Sequence, residues 1–164
     1  MPYALQSMLR IRTMREDRAS ADLSAARQKV RQAAAVLAER QREFEEFEAT
    51  REERRDRIYE AIVGHAVTHD ELDMALEGVA RIDEEGALKA DNVAMASAEL
   101  KEKEAQAEMA RGEFVRASKE RMKIAEHKSM WMAEEIREQE HRQEVELEDF
   151  TAKKNKERVD DDGY

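Results

Sequence analysis

The side chains best suited to metal or proton chemistry in this chain are its four histidines, His65, His69, His127 and His141. His65 and His69 stand four apart, a spacing that puts two ligands on one face of a helix. Gly64 and a helix cap at Thr68 instead place them across a linker, and neither a cysteine nor a third histidine is near. They read as solvated linker side chains. Carboxylate pairs are numerous, but acid–base catalysis needs pKa values shifted by burial or fixed neighbours, and thin helices offer no cleft. There is no glycine-rich phosphate loop, and Ser, His and Asp form no triad-like arrangement. The closing run Asp160-Asp161-Asp162-Gly163 lacks the alternation and distal Glu of a calcium loop. The absence of cysteine excludes disulfides and thiol catalysis. The residues therefore predict no catalytic site, no metal site, no cofactor and no enzyme activity.

The elements that carry these residues are long helices. Charged residues make up 41% of the sequence and aromatics 5%, too few large apolar side chains to cover a compact core. Much of the apolar content is alanine, which favours helix and contributes little burial. Such a composition fits either disorder or helices packed in pairs, and periodicity decides between them.

A seven-residue repeat decides for helices. Leu9, Glu16, Leu23, Val30, Leu37, Phe44, Arg51 and Ile58 form one row, extended toward the start by Leu5. Arg12, Ala19, Ala26, Ala33, Arg40, Phe47, Arg54 and Ala61 form a second row three residues on. These are the a and d positions of a coiled coil, and they predict one helix over about 3–63, with Pro2 tolerated at its start. At about 1.5 Å per residue that is roughly 90 Å. The alanines Ala19, Ala26 and Ala33 predict close approach of the partner helix. The seam arginines can lay their stems along apolar surface with their heads in water.

Gly64 is a natural stop for this helix. Thr68-His69-Asp70-Glu71 has the form of a capping box, so a new helix starts near His69 with Leu72, Ala75, Leu76, Val79 and Ile82 on its apolar face. Gly78 and Gly86 weaken it, and Asp83-Glu84-Glu85-Gly86 reads as its end. A last helix over about 87–156 carries Val93, Leu100, Ala107 and Phe114, with Ala96, Ala110, Ala117, Ile124 and Trp131 on the partner row. Beyond Ile124 the stripe drifts onto Met132, Ile136, Leu147 and Phe150, as at a stutter. The expectation is an all-α fold over 1–164: a long antiparallel two-helix coiled-coil hairpin. Its middle is interrupted at about 64–86, with a short third helix possible there, and an acidic disordered tail covers 157–164. A helix running unbroken from His69 would overhang the first by about 25 residues, and the break avoids that.

The formal net charge of −10 is unevenly spread. Residues 1–42 hold nine Lys/Arg against four Asp/Glu, and residues 70–108 hold four against twelve. A nucleic-acid or membrane-surface binder would use the short basic end, against repulsion from the rest. A better fit for that end is an acidic surface on a protein partner. No apolar run approaches the roughly 20 residues of a membrane span, and the start lacks a signal-peptide core, so the reading is a cytoplasmic protein with no membrane insertion. Two aromatic features suit partner binding. Phe44, Phe47 and Tyr59 lie toward the closed end, with Tyr59 off the seam rows. Met130-Trp131-Met132 cannot all face one helix, because successive residues are about 100° apart.

The opening Tyr3-Ala4-Leu5-Gln6-Ser7-Met8-Leu9-Arg10-Ile11-Arg12, followed by Arg15-Glu16-Asp17-Arg18-Ala19, resembles the start of YscO-like type III secretion proteins, whose flagellar relative is FliJ. The resemblance implies a central stalk. Paired chain ends would enter the pore of a hexameric secretion ATPase and promote its assembly and activity, the hairpin tip would point to the export gate, and export chaperones would bind. Carried onto this chain, the ATPase contact would include Leu5, Met8, Leu9, Arg10, Arg12, Arg15 and Arg18. The gate or chaperone contact would include Phe44, Phe47 and Tyr59, with Met130, Trp131 and Met132 as an additional surface. The alternative is a peripheral stator or scaffold coiled coil of the same or another secretion machinery.

Overall fold

The computed structural model describes residues 3–64 and 66–161, with side chains described through Lys153. Two α-helices account for nearly all of it: α1, Gln6–Glu60, and α2, His69–Asp161, with no strand among the described residues. The chain is an all-α helical hairpin. Its contacts fall into two units, Ala19–Glu113 and the pairing of Met1–Arg18 with Phe114–Tyr164.

The unit 19–113 holds the turn. Gly64 closes α1 with φ +95°, a conformation that glycine adopts without strain. Glu71 accepts from the Thr68 backbone N–H at 2.7 Å, and the Glu71 N–H donates back to the Thr68 hydroxyl at 3.2 Å. This reciprocal cap starts α2 at the position the sequence indicates. His65 lies outside the described residues.

The heptad rows of α1 face α2 as the spacing requires. Leu23, Ala33 and Phe47 are buried, and Ala26, Val30, Leu37, Phe44 and Ile58 are half-buried. On α2 the facing row is Ala75, Val79, Ile82, Gly86, Lys89, Val93, Ala96 and Leu100, all buried or half-buried. Leu72 and Leu76, expected on that row, are exposed at 38% and 54%.

The interruption expected at 83–86 does not occur. Helix α2 runs through Asp83-Glu84-Glu85-Gly86 without a break, so there is no short third helix and no restart at 87. The physical reason is that Gly86 is a seam residue. A Cβ built on it would sit 2.8 Å from the Phe47 ring, and one on Gly78 would sit 3.1 Å from Ile58 Cδ1. The space left by the missing side chains is filled by Phe47 and Ile58 of the facing helix. Packing of Phe47 and Ile58 offsets the roughly 1 kcal/mol by which glycine disfavours a helix interior.

In the unit formed by residues 1–18 and 114–164, Phe114, Ala117, Arg121, Ile124, Lys128, Trp131 and Glu135 form a half-buried row on α2 at the same 3.5-residue spacing. Every described side chain from Ile136 onward is exposed. The overhang that a break would have avoided is therefore present. The buried row does not drift onto Met132 and Ile136: those two, with Leu147 and Phe150, are 48–69% exposed. The tail expected to be disordered from 157 is helical through Asp161, and residues 162–164 lie outside the described residues.

Gly86→Ala is expected to lower stability by about 1–2 kcal/mol, because the buried Phe47 ring has no room to give. Gly112→Ala, where an added Cβ meets nothing within 4 Å, is expected to raise it by up to about 1 kcal/mol. Thermal unfolding followed by circular dichroism checks both. Equal shifts in the two variants would remove the packing role from Gly86.

Candidate protein-interaction surfaces

Among the described residues no three His, Cys, Asp or Glu side chains are grouped to hold a metal ion. His69 is solvent-facing and lies 3.6 Å from Asp73 one turn on. What the chain presents are two surfaces, one in each unit.

The first belongs to the unit formed by residues 1–18 and 114–164. The Tyr3 ring is buried at 8% exposure. It stands 5.4 Å from the Trp131 ring and 5.8 Å from the His127 ring, and the Tyr3 hydroxyl is 2.7 Å from His127 Nδ1. This clasp pins the start of the chain to α2. Leu5 and Leu9 are half-buried in the seam. Arg12 is paired with Glu120 of α2, and Glu16 with Arg121. Arg10, Arg15 and Arg18 are exposed and make no ion pair among the described residues. Met8, Ile11 and Met14 accompany them at 43%, 51% and 63% exposure. In the Met130-Trp131-Met132 run, Trp131 faces Tyr3, while Met130 and Met132 are 60% and 48% exposed.

The second surface surrounds the turn in the unit 19–113. Arg57, Ile58, Ala61, Ile62, Val67, Glu71, Met74 and Ala75 line an open groove of about 440 Å³. Tyr59, Val63 and Met74 are exposed at 39%, 70% and 72%. The three aromatics proposed as one contact are not together. Phe47 is 4% exposed beneath the Arg54 guanidinium, 5.5 Å from its ring centroid, so it is removed from the contact set. Phe44 is half-buried in the seam. Tyr59 lies twelve residues beyond Phe47, about 18 Å along the helix.

Sequence reasoning missed Tyr3, His127, Glu16 and Arg121 as partners. Nothing local pairs residues 124 apart in the chain, as Tyr3 and His127 are. Gly86 was findable, since Val79, Gly86, Val93 and Leu100 share one seven-residue row.

Ion pairs also cross the seam in this unit. Arg51 Nη2 donates to Asp83 at 2.9 Å, and Arg54 Nη2 donates to Glu85 at 2.7 Å. The bond to Asp83 raises the Arg51 pKa further. The bond from Arg54, helped by the charges of Arg54 and Lys89, holds the Glu85 carboxyl below its ordinary value despite partial desolvation. A depressed carboxylate pKa stabilises the fold above the ordinary value, and that contribution is lost as pH falls through the depressed one. Melting temperature is therefore expected to fall on acidification over roughly pH 5 to 3, and to fall less steeply in Glu85→Gln. Parallel pH profiles for the two proteins would show that the pair makes no contribution.

With both surfaces defined, the chain can be set beside known proteins. The profile of the family described as Type III secretion protein YscO matches residues 5–153. A search of curated proteins finds no match. Among solved structures, the type III secretion protein YscO from Vibrio parahaemolyticus superposes with a TM-score of 0.78 at 24% identity, over 89% of this chain and 92% of that one. A YscO homolog from Chlamydia trachomatis, CT670, superposes with a TM-score of 0.74 at 21% identity, over 99% of both chains. At these identities the structural likeness is one of fold, and the family match extends over most of the sequence. The chain belongs to the YscO family of type III secretion proteins.

Proposed function

We propose that this protein is the central stalk of a type III secretion ATPase, working at the cytoplasmic face of the secretion apparatus. The paired helices that carry Tyr3 and Trp131 enter the hexamer pore and favour its assembly and turnover. The surface around the turn meets the export gate, through Tyr59 and the adjoining groove in place of Phe47. Exposed apolar side chains such as Met130 and Met132 are available to export chaperones.

The observation that carries this reading is the unmatched charge on α1. Arg12 is matched to a carboxylate across the seam, while Arg10, Arg15 and Arg18 project to solvent without one. A two-helix protein gains nothing in its own fold from three such charges. An acidic ring lumen would supply their partners and steer the encounter. No helix among the described residues is long and apolar enough to cross a membrane, so the gate contact is assigned to surface side chains. The protein's action is on the ring's equilibrium between subunits and hexamer.

The test is hydrolysis by the cognate secretion ATPase with the purified protein added. Wild type is expected to raise the rate. Arg10→Glu/Arg15→Glu/Arg18→Glu, with helicity unchanged, is expected to need at least about tenfold more protein for the same effect. An equal response would remove the basic face from the contact. Cross-links from residues 5–18 to the outer wall of the ring in place of its lumen would favour a peripheral scaffold.

A further inference from the structure

The overhang of α2 carries a second stripe that the hairpin does not use. Met132, Ile136, Gln139, Gln143, Leu147 and Phe150 follow one another at steps of three and four residues, so they share one narrow face of the helix. None is charged, and the apolar four are 48–69% exposed. Both sides of this face are acidic: residues 132–150 hold eight Asp/Glu against two Arg.

A matching face lies on α1 in the same unit. Met8, Ile11, Arg15 and Arg18 recur at three and four residues with Met14 beside them, all exposed. It is apolar with unmatched positive charge, where the overhang is apolar with negative charge. The lengths agree as well. Residues 132–150 span about 28 Å and residues 3–18 about 24 Å at 1.5 Å per residue. Within one chain the two do not meet, because α2 continues as one helix past the residues that pack on Tyr3.

We propose that the free protein is a two-fold homodimer in which the overhang of each chain docks on the basic start of α1 in the other. A two-fold axis beside Met132 runs each overhang antiparallel to the partner's α2 and parallel to the partner's α1. Leu147 then lies as far from the axis as Ala117 does on the other side. That is within one turn of the level at which α1 pairs Arg12 with Glu120 and Glu16 with Arg121. Leu147 packs near the partner's Met14, and Phe150 lies near the partner's Arg18. Such an interface is isologous, so one complementary pair of faces is used twice and the assembly closes. Overhang against overhang is disfavoured, since it would oppose eight carboxylates to eight. The dimer covers Arg15 and Arg18, so self-association and ring binding compete for the same face.

This inference is independent of the stalk reading and is measured on the full chain alone. Light scattering at low ionic strength is expected to give twice the 19.0 kDa chain mass, falling toward the single-chain value as salt rises. Leu147→Glu/Phe150→Glu is expected to give the single-chain mass with unchanged helicity, because neither residue is buried within the chain. The protein has no cysteine, so separate Met14→Cys and Leu147→Cys chains can be mixed and oxidised. A mixed disulfide dimer is expected. A single-chain mass at every concentration would overturn the proposal. So would a dimer that survives the double substitution and yields no mixed disulfide.

Discussion

A helix in a two-helix hairpin has one neighbour, so it can bury one stripe and no more. That constraint governs the remainder of the structure. Among the described residues no large side chain is fully buried, and the core of the unit 19–113 is a thin file of Leu23, Ala33 and Phe47 against Ala75, Val79, Ile82 and Ala96. Alanine supplies little burial, so the few large residues matter more than they would in a globular domain. Phe47 and Ile82, each at 4% exposure, are the most enclosed side chains. Phe47 reaches that burial because the facing seam position is glycine. Here glycine serves close approach in the middle of a long helix, a use opposite to its role at Gly64, where it ends one.

A thin apolar seam specifies register poorly, and the charged residues within it supply what the apolar ones lack. Exposed ion pairs contribute about 0–1 kcal/mol each, so Arg51 with Asp83 and Arg54 with Glu85 add little to stability. Their effect is on alternatives. In the unit formed by residues 1–18 and 114–164, Arg12 faces Glu120, and one turn away Glu16 faces Arg121. The polarity is reversed between neighbours, so a slip of one turn sets Arg121 against Arg12. Like charges then meet where opposite charges met, and the slipped register is disfavoured.

The sequence made the two-helix fold legible because burial in a coiled coil is periodic and periodicity is visible in one dimension. The a and d rows of α1 from Leu23 to Ile58 are the residues that the structure buries or half-buries. The cap at Thr68 and Glu71 was legible for a similar reason, being local. The unbroken α2 was not. Gly86 after three acidic residues has the composition of a helix end, and only the Phe47 ring opposite makes it an interior residue. A break there would also leave both helices covered along their whole length, a condition the hairpin does not meet. The structure has 55 residues in α1 and 93 in α2. The candidate contacts divide in the same way. Exposure of Arg10, Arg15 and Arg18 follows from their places off the seam rows. Burial of Phe47 follows from its place on the seam row, whereas the Tyr3–His127 bond depends on a contact between residues far apart in sequence.

The exposed ends of the two helices follow from the same constraint. A stripe that finds no neighbour inside the chain, yet stays uncharged over nineteen residues between acidic flanks, is maintained at a cost in solubility. A solvated helix has no need of Leu147 and Phe150, and acidic or basic residues there would serve the isolated fold as well. The basic face of α1 is in the corresponding position, with three guanidinium groups that the hairpin leaves unmatched. Two complementary faces that do not satisfy each other within one molecule leave the proposed contacts to be made between molecules. Whether the neighbour is a second copy or the lumen of a ring, the recognition is of one kind: helix faces with apolar centres and charged margins. The length of α2 beyond Trp131 gives that face a folded helix with no neighbour inside the chain, which is the form a docking segment takes.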